Sequence, residues 1–375
     1  GGFIGLEIAE NLVHLGLQVT LLQRGPQVMT PMDPEMARYV ENYIQRHGVN
    51  LVLDDGAAGF RHAANGSLEV LTESGQTFPA DVAVLGIGVR PENWLAKDAG
   101  LEIGDRGGIR VDEQMHTSDP HIFAVGDAIE VKDYMCDEWS HIPLAGPANR
   151  QGRIAADVIA GRNSRFRGTQ GTSIIGLEIA ENLVHLGLQV TLLQRGPQVM
   201  TPMDPEMARY VENYIQRHGV NLVLDDGAAG FRHAANGSLE VLTESGKAFA
   251  ADVAVLGIGV RPENWLAKEA GLEIGDRGGI RVDEQMHTSD PHIFAVGDAI
   301  EVKDYICDEW SHIPLAGPAN RQGRIAADVI AGRDSRFRGT QGTSIIGLFG
   351  AAAAWTGVSE KTLLRLGETD YEKIY

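Results

Sequence analysis

The run IGLEIAEN at residues 4–11 returns letter for letter at residues 175–182. Leu6 recurs as Leu177, an offset of 177 − 6 = 171 residues, and the match continues to residue 344 with six substitutions. They are Gln76 to Lys247, Thr77 to Ala248, Pro79 to Ala250, Asp98 to Glu269, Met135 to Ile306 and Asn163 to Asp334. The chain therefore reads as a tandem duplication, and one repeat is interpreted and then interpreted again. Within the run, Ile4, Ile8, Leu12 and Leu15 recur at helical spacing, and Gly16 ends the helix. Residues 18–22 then form a short, mostly apolar strand, the pattern of a parallel strand covered on both faces. A helix and then a strand, starting from a glycine cluster, is half of a nucleotide-binding βαβ unit.

Outward from this stretch the pattern continues. Asp33 and Pro34 are placed to cap and begin a helix striped by Met36, Val40 and Ile44 and closed by Gly48, and residues 49–53 are the next strand. Residues 57–78, punctuated by Asn65-Gly66 and Ser74-Gly75, read as a three-stranded antiparallel meander. DVAVLG at 81–86 is a buried strand ending in Gly86-Ile87-Gly88, where a ligand could lie against bare backbone. A short helix at 94–99, a glycine turn at Gly107-Gly108 and a strand at 109–111 follow. Residues 117–129, TSDPHIFAVGDAI, hold an apolar strand stopping at Gly126-Asp127; residues 147–159 are a helix and 162–171 a polar, basic connector. The series restarts at Ile175, and a third restart fails after Leu348.

Composition sets bounds. With 375 residues and 43% hydrophobic residues the chain can bury a core, and the size prior together with the repeat gives two main domains. A formal charge of −19 argues against nucleic acid as a partner and offers no basic patch to an anionic membrane, and the basic region at 150–167 reads as a helix end and linker. The longest apolar run, 345–355, is too short to span a bilayer and no secretory leader opens the chain, so a cytoplasmic protein is expected. The chain opens at Gly1, inside a motif, and is expected to be a fragment. Cys136 and Cys307 are one site copied, read as spare thiols. The histidines, among them His14, His47, His62, His116, His121 and His141, lack ligand spacing and read as solvated or capping groups, so no metal site is expected. Asp54-Asp55 and Asp137-Glu138 read as solvated turns, and no catalytic residue can be nominated.

IGLEIAENL, DVAVLGIGVRPE, TSDPHIFAVGDA and HIPLAGPANRQGRIAA, in this order and spacing, resemble the flavin-dependent pyridine nucleotide-disulfide oxidoreductases. The branch they look most like is that of the coenzyme A disulfide reductases and NADH oxidases. The tail, TGVSEKTLLRLGETDYEKIY, resembles the start of that family's C-terminal dimerisation domain. The resemblance implies an α/β fold of two repeated Rossmann-like NAD(P)-binding units with an antiparallel meander, each followed by the C-terminal part of a FAD-binding domain. The first repeat would span 1–171, with its NAD(P)H-binding domain at about 1–112 and its partial FAD domain at about 113–163. The second would span 172–342, divided at about 172–283 and 284–334, and residues 343–375 would begin a dimerisation domain.

The resemblance also assigns residues. Gly2 and Gly5 belong to the NAD(P)H fingerprint, Gly86 and Gly88 lie near the nicotinamide, and Asp127, after Gly126, accepts hydrogen bonds from flavin ribityl or ribose hydroxyls. Ala145, within residues 143–149, lies beside the isoalloxazine. Gly171, Gly176, Gly257, Gly259, Gly297, Asp298 and Ala316 repeat these places. Gly126-Asp127 in isolation would be an ordinary turn. At the end of the second strand an NAD-specific unit has an acidic residue; here stand Gln23 and Arg24, repeated as Gln194 and Arg195, which suit the 2′-phosphate of NADPH. The competing reading is an exposed arginine with no ligand, and NADH and NADPH both stay open.

Departures from the family pattern are as informative. The N-terminal flavin half and its redox cysteine are absent, the first copy begins after its first fingerprint glycine, and the second has Ser173 at a fingerprint glycine. Both copies lack the middle strand of their sheet, and residues 172–175 (TSII) are expected to supply a makeshift strand for the second. The implied function is an oxidoreductase in which NAD(P)H gives hydride to FAD, which passes electrons to a small disulfide or to oxygen, in a homodimer. The alternative is a non-catalytic, truncated relative, or a faulty gene product, with cofactor binding lost.

Overall fold

The computed structural model describes residues 1–30, 34–63, 67–132, 139–141, 145–165, 175–201, 203–234, 238–304, 309–339 and 344–372. The protein is a mixed α/β chain that divides into two compact units, and each unit draws on both repeats. Unit 1 consists of Gly1–Val89 and Pro262–Thr340; unit 2 consists of Arg90–Arg261 and Gln341–Tyr375.

In unit 1 the helix Phe3–His14 ends through Leu15 and Gly16, whose φ of +80° is the left-handed stop that glycine accepts without strain. The strand Val19–Leu22 pairs in parallel with Val49–Val52, joined by the helix Pro34–Arg46. The meander is Ala57–His62, Leu68–Thr72 and Thr77–Ala80, antiparallel throughout. The strand Ala83–Leu85 of the first repeat then pairs in parallel with Ile293–Ala295 of the second, in the register Val84 opposite Phe294. The sequence leads one to expect each copy to lack the middle strand of its sheet, and here a strand of each copy pairs with a strand of the other. The core follows the same exchange: Ile8, Leu12, Leu68 and Leu85 bury against Ile280, Ile293, Phe294, Val302 and Ile325.

Helix Phe3–His14 lies on helix Ala316–Ile330 at a glycine. A Cβ on Gly323 would stand 2.9 Å from Ile8 Cγ1, so that residue must stay small for the helices to meet. Arg324 Nε and Glu7 Oε1, 3.0 Å apart, border the contact.

Unit 2 repeats the arrangement with the roles of the copies reversed. Ala254–Leu256 of the second repeat pairs in parallel with Ile122–Ala124 of the first. Val190–Leu193 pairs with Val220–Val223, and Ala228–His233, Leu239–Thr243 and Ala248–Ala251 form the second meander. Leu95, Ile109, Ile122, Phe123 and Ile154 share a core with Ile179, Leu239 and Leu256.

Of the run 172–175, expected to supply a makeshift strand, Ile175 is the one described residue, and it is not in a strand. Ile175 already begins the helix Ile175–His185, and residues 172–174 lie outside the described residues. The same letters SIIGL do form a strand at Ser344–Leu348, paired antiparallel with Ala351–Trp355. Context decides: at 178 the string runs on into EIAENLVH, with helical periodicity, whereas at 349 it meets Phe349 and Gly350, both at positive φ, which turn the chain back into a hairpin.

Asp55 also departs from expectation. It is 4% exposed rather than solvated, because the meander folds over it: Ser74 donates to it from its hydroxyl (2.6 Å) and its backbone N–H (3.0 Å). The Ser74 hydroxyl holds the carboxyl below its ordinary range, against the opposing effect of burial and with further help from the Ser74 N–H and Thr72. A depressed carboxyl pKa stabilises the fold above the unfolded value, and that contribution is lost as pH falls through the folded value. Ser74→Ala should therefore move the onset of acid unfolding to higher pH. Circular dichroism against pH checks this, and an onset that stayed put or fell would refute it. In unit 2 Asp226 is held the same way by Ser245, with Lys247 Nζ 3.6 Å away where the first repeat has Gln76.

Among the described residues no helix is long and apolar enough to cross a membrane.

Candidate functional site

In open α/β sheets, ligands bind beyond the carboxyl ends of parallel strands. In unit 1 the paired strands Ala83–Leu85 and Ile293–Ala295 both run into glycines there. Val296 N–H donates to the Leu85 carbonyl (3.0 Å), which sets Gly86 beside the turn that follows. That turn is the 3-10 segment Gly297–Ala299, with Gly297 at φ +80°. Its N–H donates to Gln322 Oε1 (2.9 Å), and Gln322 is 2% exposed, so the turn is pinned from within. A Cβ on Gly297 would lie 2.9 Å from Ile4 Cδ1, and the helix Phe3–His14 thus packs directly on this glycine. Asp298 is half-buried. Burial pushes its carboxyl pKa up, with the charge of His312 pulling the other way, and the Asp298 carbonyl bonds His312 Nε2 at 2.8 Å.

The start of the helix adds the next part. Gly2 precedes it in extended backbone (φ −77°, ψ 179°), no side chain caps it, and a Cβ on Gly2 would meet nothing within 4 Å. An uncapped helix N-terminus with open space before it is a place where N–H groups and helix dipole favour an anion. Gly5 meets only Leu21 Cδ1, at 3.9 Å, an ordinary contact, while the Gln23 side chain lies against Gly1. Gly86 and Gly88 also face open space, and Gly88 takes φ +72°.

Arg24 is engaged within the protein. Its Nε meets Glu73 Oε1 at 2.8 Å and its guanidinium lies 5.5 Å from the Trp265 ring centroid. Both members of the ion pair are well exposed, so the pair contributes little to stability.

Unit 2 matches from the opposite copies. Val125 N–H donates to the Leu256 carbonyl (3.1 Å), placing Gly257 beside Gly126-Asp127, and Gly259 has φ +72°. Gly126 N–H donates to Gln151 Oε1 (2.8 Å), and the Asp127 carbonyl bonds His141 Nε2 (2.8 Å). Arg195 pairs with Glu244 (3.0 Å) over Trp94 (5.6 Å), beside Gln194. Gly176 lies in the helix Ile175–His185, and Ala145 and Ala316 are the first residues of their helices. Gly171, Cys136, Cys307 and Asp137-Glu138 fall outside the described residues.

The structure therefore brings Gly86 beside Gly297 and Asp298, and Gly257 beside Gly126 and Asp127, with Gly88 and Gly259 two residues further along their strand ends. Within one repeat these residues belong to different units. Sequence reading missed Gln151 and Gln322, the groups that fix the two Gly-Asp turns. A signal was present: Ala148, Gln151 and Ala155 fall on one helical face, and a single amide among alanines marks a buried hydrogen bond. It also missed Trp94 and Trp265 under the two arginines. Among the described residues no three His, Cys, Asp or Glu side chains gather as a metal site.

The family profile described as "Pyridine nucleotide-disulphide oxidoreductase" matches residues 1–152 and 170–323. A NADH oxidase from Methanocaldococcus jannaschii is 38% identical over 168 residues, 44% of this chain and 37% of that protein. A coenzyme A disulfide reductase from Staphylococcus aureus is 29% identical over 205 residues, 54% of this chain and 45% of that protein. The crystal structure of reduced Bacillus anthracis CoADR-RHD is similar at TM-score 0.60 and 31% identity, covering 98% of this chain and 62% of that one. The chain thus spans under half the length of these two curated relatives. With the profile covering most of the sequence, and the Gly-Asp turns standing at the strand ends of both units, the chain belongs to the pyridine nucleotide-disulfide oxidoreductase family.

Proposed function

We propose that the protein is an NAD(P)H- and FAD-dependent oxidoreductase of the disulfide reductase and NADH oxidase type, built from Rossmann-like dinucleotide units. The observation that carries this reading is the Gly-Asp turn, pinned by a buried glutamine, beside a Gly-x-Gly strand end in each unit. FAD, when bound, would supply the redox chemistry that links hydride from NAD(P)H to reduction of a small disulfide or of oxygen.

The chain's own residues bind and orient. In unit 1 the N–H groups after Gly2 would receive a pyrophosphate, because that helix end is uncapped and the space before it is open. Gly86 and Gly88 leave backbone bare for a planar ring to approach. The Asp298 carboxylate would accept ribityl or ribose hydroxyls, and its half-buried position strengthens such bonds by keeping water away. Arg24 and Arg195 are more than half exposed, and on this reading their guanidinium groups would receive the 2′-phosphate of NADPH. Gln23 and Gln194 sit beside them. On this reading the acceptor is a small molecule, the protein works in the cytoplasm, and it assembles as a homodimer.

Purified protein should carry flavin, seen by its visible absorbance, and should consume NADH or NADPH when a disulfide or oxygen is supplied. Asp298→Ala should weaken flavin binding about 10- to 100-fold, the value of losing a hydrogen bond to a charged group. A colourless preparation that oxidises neither nicotinamide nucleotide would reject the catalytic reading in favour of a non-catalytic relative.

A further inference from the structure

The two repeats form the same helical surface twice, and in unit 2 the surface holds the chain's own tail. The hairpin Ser344–Leu348 and Ala351–Trp355 lies against helices Ile175–His185 and Pro205–Arg217, with Leu348 and Phe349 buried among Leu177, Val211 and Ile215. Phe349 is the anchor. Its ring stacks on His218 (4.5 Å, 20°) and meets His185 edge-on (5.3 Å, 74°). Its N–H donates to Glu181 Oε1 (2.8 Å), and its carbonyl accepts from Tyr214 Oη (3.0 Å). Helix Glu360–Leu366 adds a second point, where the N–H groups of Glu360 and Lys361 donate to Asp204.

In the first repeat Glu181, His185, Tyr214 and His218 are Glu10, His14, Tyr43 and His47, and none of the six substitutions falls on the surface. The first-repeat surface is already shaped. His47 Nδ1 bonds the Tyr43 carbonyl (2.7 Å) as His218 bonds that of Tyr214 (2.8 Å), and Glu41 accepts from Val28 N–H as Glu212 does from Val199 N–H, 3.1 Å in both. It is also open: Tyr43 is 61% exposed, and Glu10, His14 and His47 are exposed.

We propose that the surface carried by Glu10, His14, Tyr43 and His47 is a second docking site for the hairpin 344–355, supplied by a second copy of this chain. The occupant follows from identity: the same side chains hold this segment in unit 2 through an aromatic between two imidazoles, one carboxylate acceptor and one phenol donor. Each chain brings one segment and two surfaces. A segment docked in trans leaves its own surface empty, so this contact between chains is weak and adds to the homodimer rather than building it, while a free peptide meets no such competition.

The test adds a labelled peptide of residues 344–371 to the full-length protein and follows fluorescence anisotropy. One peptide should bind per chain, at least tenfold more weakly after Tyr43→Ala or after Glu10→Gln, and a peptide carrying Phe349→Ala should not bind. Tyr43 is exposed, so its loss leaves the fold intact, and Glu10→Gln keeps the side chain's shape. In sedimentation, wild-type protein should associate beyond the homodimer at high concentration, and saturating peptide should suppress that further association alone. Absence of saturable binding, or binding indifferent to both substitutions, would overturn the proposal.

Discussion

Phe294→Ala is expected to destabilise unit 1 by about 3–5 kcal/mol, the usual cost of emptying a buried phenylalanine site. Phe294 is 3% exposed, lies opposite Val84 in the exchanged strand pair, and packs its ring against His287 at 4.3 Å. Its neighbours come from both repeats, so the cavity would open where the two are joined, and strands fixed by a parallel ladder have little freedom to close around it. The matching change, Phe123→Ala, places the same cavity in unit 2, where Phe123 lies opposite Val255 and 4.4 Å from His116. Urea unfolding of the two single variants and the double variant is the measurement. Single losses below about 1 kcal/mol would mean that these sites are not packed as described.

Glu301→Ala should cost about 3 kcal/mol or more. Glu301 is 1% exposed, and one carboxylate oxygen accepts the backbone N–H groups of Arg277 and Gly279, each at 2.9 Å. Gly275 and Gly279 are glycines because the carboxylate and the strand backbone fill the space a Cβ would need; at Gly279 it would stand 2.7 Å from Glu301 N. Hydrogen bonds to a charged group are worth about 1.5–3 kcal/mol each, and the alanine variant removes both, leaving the buried N–H of Gly279 without its acceptor. Glu301→Gln keeps an oxygen in place and should recover part of the loss. A thermal melt in which alanine and glutamine behave alike would show that the bonds are not the cause.

Much of the local structure was legible. Gly16 and Gly48 stop helices because left-handed backbone admits glycine, Pro34 and Pro205 open helices, and the meander announced itself through its punctuation. These features depend on a few adjacent residues. The partner of each strand was not legible, and the reason is physical: Ala83–Leu85 meets the same IFA sequence in either repeat, so hydrophobicity and register are identical for both pairings. The burial of Asp55 was hidden as well, since it depends on Ser74 arriving 19 residues later. For the candidate site, the glycines and Asp127 or Asp298 stood out through their motifs. Their grouping across repeats did not, nor did the glutamines that hold them.

The exchange of strands also sets a timetable. Ala83 finds its partner in Ile293, 293 − 83 = 210 residues further along the chain, so the apolar face of residues 1–89 must wait until those residues have been made before it can be covered. Contacts of such long range form slowly, because the loop between them must be closed before the pairing is gained. During that wait the nascent chain presents an unpaired strand and an unburied helix face, the kind of surface on which chaperones act and aggregation begins.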